Sequence, residues 1–105
     1  MLKFIFRTSA LSLLIASTVC FAQNSAADIY KAKCQMCHAA DGSGNTPAGK
    51  AMKVLPFNRP DVVKMSDDEL ITITKKGKGK MPAFHGKLTD DQIKDLVAYI
   101  RTLQK

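Results

Sequence analysis

Cys34, Cys37 and His38 stand within five residues of one another, in the run Cys34-Gln35-Met36-Cys37-His38. Two thiols and an imidazole can bond a prosthetic group. On a helix, Cys34 lies three residues before Cys37 and four before His38, so all three side chains leave one face. Thiols so placed can add to the two vinyl groups of a haem as thioethers. The imidazole one residue further on can reach the iron. C-x-x-C-H is the attachment signature of haem c.

Other chemistries fit these residues poorly. A structural zinc site closes four ligands around the ion, and the only remaining Cys and His are Cys20 and His85. A redox dithiol of the thioredoxin kind sits beside a βαβ pattern, and no alternating strand pattern occurs in this chain.

A haem iron held by His38 has a further axial position to fill. A thioether there is a soft, neutral ligand that favours the reduced iron and raises the potential. Met36 lies inside the motif and points off its face. Met52 and Met65 are explained equally well as apolar fillers. Met81 follows Gly77-Lys78-Gly79-Lys80 and precedes Pro82; the glycines let the backbone turn and approach a flat group closely. Spacing alone leaves Met81 as either an axial ligand or a core filler. His85 is the competing ligand, and its position beside Gly86 also suits a surface histidine.

The elements that must position these groups are helices. Ser25-Ala26-Ala27-Asp28 has the form of a helix start, with Ile29, Tyr30, Lys33 and Cys34 following at helical spacing. Tyr30 is expected in the core, and Ala26 lets another helix approach. Residues 39–53 carry no helical stripe, and Asp41-Gly42-Ser43-Gly44-Asn45 reads as a turn. A backbone carbonyl near Pro47 is a candidate acceptor for the free N–H of His38, since ligating histidines usually donate their second nitrogen. Pro47 reads equally as a plain turn proline. Val54, Leu55 and Phe57 form an apolar patch, with Pro56 and Pro60 arguing against regular structure around it. Ser66-Asp67-Asp68-Glu69 and Thr89-Asp90-Asp91-Gln92 are capping boxes. The first opens a helix that stops at Gly77. The second opens an amphipathic helix with Ile93, Leu96, Val97, Ile100 and Leu103 on its apolar face. The expected architecture is all-α, with three main helices and long loops around one haem, and an apolar cavity between His38 and Met81.

The chain has 105 residues and a formal charge of +7. Lys3 and Arg7, the apolar run Ala10 to Val19 and the small residues at Cys20-Phe21-Ala22 predict an export signal over residues 1–22, cut after Ala22. An uncleaved anchor and a lipid-modified Cys20 are the alternatives, although the apolar run is short for a span of about 20 residues. Residues 23–105 then form one domain whose charge is +5, since Lys3 and Arg7 leave with the signal. This length is marginal for a self-sufficient core, and a covalently held haem would act as its staple. Twelve lysines against two arginines, Arg59 and Arg101, suit steering toward acidic partners better than phosphate recognition. Nucleic-acid binding is not expected.

Taken together, Cys34-x-x-Cys37-His38, Gly42-x-Gly44 with Pro47, Met81-Pro82 and the final Tyr99-Ile100 helix resemble a small class I c-type cytochrome. The resemblance covers essentially all of residues 23–105. It implies a cytochrome c fold in which the first and last helices cross closely through Ala26, Tyr30 and Tyr99. It implies thioether attachment of one haem c at Cys34 and Cys37, with His38 and Met81 as axial ligands. Ala39 stands where the family often has glycine, a departure expected to matter little. The function expected is that of a monomeric periplasmic one-electron carrier and not an enzyme, with no stable membrane insertion. Lys75, Lys76, Lys78, Lys80 and Lys87 are expected to form a basic rim for redox proteins with acidic docking surfaces. The rival is a ligand-binding or catalytic haem protein with an open axial position, for which His85 is the one distal candidate. A membrane-tethered electron-transfer subunit depends on retention of the signal.

Overall fold

Four hydroxyl side chains begin four of the helices. Ser25, Thr46, Ser66 and Thr89 each accept a hydrogen bond from the backbone N–H three residues on, at 3.2, 2.9, 3.1 and 3.1 Å. Each satisfies an amide that has no partner within its helix. Only Thr89 closes the reciprocal box, with Gln92 reaching back to the Thr89 N–H at 2.9 Å.

The computed structural model describes Ile15 and residues 25–105. The expected export signal and its cleavage lie outside those residues, Ile15 apart. Six helices follow in order: α1 (Ala26–Lys33), α2 (Gln35–His38), α3 (Pro47–Ala51), α4 (Pro60–Val63), α5 (Asp67–Lys76) and α6 (Asp90–Thr102). Among the described residues there is no strand, only two isolated bridges, Lys78 with Met81 and His85 with Leu88. The fold is all-α, and α1, α5 and α6 are the three main helices expected.

Two short helices correct the reading of the proline-containing stretches as loop. Pro47 and Pro60 each stand at the first position of a helical turn. There the missing N–H costs nothing and the fixed φ is already helical.

The core forms where α1 and α5 pack on α6. Ile93, Leu96 and Val97 are buried to 2 % exposure or less, and Ile93 and Leu96 cluster with Ile29, Tyr30, Phe84 and Leu88. Arg101 ties the last turns of α6 to the α4–α5 connection. Its guanidinium donates to the carbonyls of Met65 at 2.6 Å and Val63 at 3.2 Å, and to the Asp67 carboxylate at 3.0 Å.

The segment after α5 is a folded loop. The Lys78 N–H donates to the Met81 carbonyl at 3.2 Å and the Met81 N–H to the Lys78 carbonyl at 3.0 Å. Gly79 takes the left-handed position at the tip, with φ +58°, as a two-residue turn of this kind requires. Phe84 and His85 then donate back to the carbonyls of Thr74 and Lys75, both at 3.1 Å. The Lys75 ammonium meets Asp90 at 2.9 Å across the same junction.

Candidate haem-binding site

Cys34 ends α1, and Cys37 and His38 lie on α2. The His38 N–H donates to the Cys34 carbonyl at 2.9 Å, so the motif continues the helical path with one break at Cys34. All three residues line a cavity of about 360 Å³. The expected apolar cavity is therefore present, and Met81 lines it from the loop after α5. Much of its apolar wall comes from separate parts of the chain, among them Val54, Phe57, Leu70, Phe84, Leu96 and Ile100.

The loop after His38 is built to close against α2. The Thr46 hydroxyl donates to the Cys37 carbonyl at 3.2 Å and the Gly44 N–H to the His38 carbonyl at 2.8 Å. Gly49 in α3 is pressed against the carbonyls of Cys37 and Gly44, so closely that a Cβ there would overlap both.

The expectation for the second nitrogen of His38 is not met. Its Nδ1 is buried and has no hydrogen-bond partner. The Thr46 carbonyl, beside Pro47, is taken by the Lys50 N–H at 2.9 Å, because α3 begins there. The His38 ring is instead held by Phe57, stacked at 4.6 Å with the planes 20° apart. Burial holds the imidazole below its ordinary pKa.

Ala39 is a larger departure than the sequence suggested. Its backbone sits at φ 66°, ψ 162°, a region used almost only by glycine and costing other residues about 1–3 kcal/mol. It is buried, and its carbonyl accepts from the Tyr30 hydroxyl at 2.6 Å.

Burial pushes the Cys34 thiol up to about 11, against the opposing pull of Lys33. A thiol so held stays protonated near neutral pH, which does not suit an exchanging redox pair. Among the described residues no three His, Cys, Asp or Glu side chains gather as a metal cage would need. An apolar cavity with two cysteine sulfurs, an imidazole and a thioether on its wall fits a covalently held, flat, iron-bearing macrocycle.

The comparisons agree with the geometry. Residues 22–100 match the family model described as "Cytochrome C oxidase, cbb3-type, subunit III". The chain is 36 % identical over 74 residues to cytochrome c6 of Leptolyngbya boryana, covering 69 % of this chain and 81 % of that one. It is 37 % identical over 75 residues to cytochrome c6 of Synechococcus elongatus, covering 70 % and 82 %. The chain belongs to the small class I c-type cytochromes. A solved structure, the KustC0563 c-type cytochrome, superposes with a TM-score of 0.72 at 28 % identity, over 78 % of this chain and all of that one. The cytochrome c fold, a covalently attached haem c and an electron-carrying role without enzyme activity follow from this membership.

The other residues singled out in the sequence now have places. Met36 is 78 % exposed, as a residue off the motif's face must be. His85 is exposed and does not line the cavity. Of the five lysines expected at a rim, Lys78 and Lys80 line the cavity. Lys75 is paired with Asp90, and Lys87 lies over the Phe84 ring at 6.0 Å. Lys33 and Lys53 line the cavity as well and were not expected there; no local pattern distinguishes them from other surface lysines.

Proposed function

We propose that Cys34 and Cys37 hold the haem as thioethers, that His38 and Met81 are its two axial ligands, and that the protein carries single electrons between redox partners in the periplasm. The observation that carries this reading is the shared cavity: all four residues, drawn from α1, α2 and the loop after α5, line one apolar space. Bound haem supplies the Fe(II)/Fe(III) couple. The chain supplies two fixed ligands and a low-dielectric wall, so that oxidation and reduction meet little rearrangement. With both axial positions filled from the chain, no open site is left for a substrate. Export through a signal over residues 1–22 and a monomeric state complete the reading; among the described residues no helix is long and apolar enough to cross a membrane.

Lys33, Lys53, Lys78 and Lys80 give the cavity a basic border. This border steers partners with acidic docking faces, and association slows as salt rises. A rate independent of salt would remove the steering role.

The test of the ligand set is the oxidised absorption spectrum of the holoprotein. A weak far-red band is expected from an iron–thioether bond, and Met81→Ala abolishes it. Absence of the band, with immediate carbon monoxide binding by the reduced protein, would replace the closed-site carrier by a ligand-binding haem protein.

A further inference from the structure

The side chains around His38 form a closed circuit that begins and ends at Tyr30. The Tyr30 hydroxyl donates to the Ala39 carbonyl at 2.6 Å. The same carbonyl accepts from the Gly42 N–H at 3.2 Å, and the Gly42 carbonyl accepts from the Phe57 N–H at 3.0 Å. The Phe57 ring stacks on His38 and meets the Tyr30 ring edge-on, at a centroid distance of 6.4 Å. Tyr30 is 1 % exposed and braced from behind by Tyr99, whose ring lies 5.1 Å away.

The weak point of this circuit is Ala39, directly after His38. Its side chain disfavours the backbone conformation it holds, and strain of this kind persists only where surrounding contacts over-determine it. A short hydrogen bond from a phenol fully enclosed in the core is such a contact. Glycine would need no such restraint.

We propose that Tyr30 is a positioning residue for the His38 imidazole: its hydroxyl restrains the Ala39 backbone, and through Gly42 and Phe57 it sets the angle at which the ring is presented. The proposal rests on His38 being an axial ligand. It assigns to the core tyrosine of α1 an effect on the redox site in addition to its packing. It also makes the pairing of Tyr30 with Ala39 a matched one, each residue being tolerable because of the other.

The experiment compares the wild-type holoprotein with Tyr30→Phe, Ala39→Gly, the double variant, and Tyr99→Phe as the control for loss of a hydroxyl from the same aromatic cluster. Three quantities are read: the unfolding equilibrium constant, the reduction potential, and the hyperfine-shifted proton resonances of the oxidised protein, which report the axial imidazole plane. In Tyr30→Phe, the unfolding constant is expected to rise about tenfold, the potential to move, and the imidazole-dependent resonances to spread differently. In the Ala39→Gly background the same substitution is expected to change the unfolding constant by less than about threefold, with potential and resonances close to those of Ala39→Gly alone. Tyr99→Phe is expected to leave potential and resonances as in the wild type. Equal effects of Tyr30→Phe in both backgrounds, with potential and resonances unmoved, would reduce Tyr30 to a packing residue and overturn the proposal. A wild-type spectrum without axial-imidazole resonances would overturn the assignment of His38 itself, before any substitution is made.

Discussion

Phe57 lies face to face with His38, 4.6 Å away and 20° from parallel. It joins His38 to the core, because its ring also meets Tyr30. Phe57→Ala is expected to destabilise the holoprotein by about 2–4 kcal/mol, toward the lower end because the ring is only half-buried. Phe57→Leu should cost less than half of that and still alter the reduction potential. Denaturant unfolding with voltammetry on the same samples checks both parts.

Gly49 is where α3 touches the attachment motif. Any side chain there must displace the carbonyls of Cys37 and Gly44. Gly49→Ala is expected to cost about 1–3 kcal/mol through overpacking and to lower the yield of haem-loaded protein. Denaturant midpoints, and the ratio of haem absorbance to protein in exported material, measure the two effects.

Gly77 governs the approach to Met81. Its φ is +74°, and a Cβ would stand 2.6 Å from the Met81 carbonyl oxygen and 3.0 Å from the Ala83 nitrogen. Gly77→Ala should therefore displace the loop that carries the thioether while leaving Cys34, Cys37 and His38 in place. The expected result is retained covalent haem with a weakened or lost far-red band. A band of wild-type intensity would show that the loop tolerates the change.

Asp90 carries a pH-dependent contribution. Its hydrogen bond to Lys75 and the charge of Lys75 hold its carboxyl below the usual carboxylate range, against a small opposing effect of burial. A carboxylate whose pKa is depressed by folding stabilises the fold above its unfolded value, and that contribution is lost as pH falls through the folded value. The stability difference between wild type and Asp90→Asn is thus expected to be present at neutral pH, small for so exposed a pair, and to vanish progressively below about pH 4. Thermal unfolding of both proteins, followed from neutral pH down through the carboxylate range, measures it.

Much of this molecule could be read from residue order because its signals are local. Hydroxyl caps three residues ahead of a partner, and an apolar stripe from Ile93 to Leu103, specify α5 and α6 without reference to the rest of the chain. The attachment motif is equally local, and Met81 stood out because of the glycines before it. The turns α3 and α4 were missed because four or five residues are too few to show a stripe; Thr46-Pro47 and Arg59-Pro60 were the available signs. The Ala39 conformation was not legible, since its φ is decided by a tyrosine far back on α1 and a turn that follows. Lys33 and Lys53 join Lys78 and Lys80 only because separated segments fold onto one cavity.

The packing of α1 on α6 has a consequence in time. A chain delivered from its N-terminus presents Tyr30 and the attachment motif early, whereas Ile93, Leu96 and Val97 arrive after every other described helix. Contacts between such distant segments carry a larger loop-closure cost than local ones. Until they do, Tyr30 has no Tyr99 behind it and the strained turn at Ala39 has no braced donor. The turn at Ala39, directly after His38, therefore gains its full brace only once α6 has docked on α1.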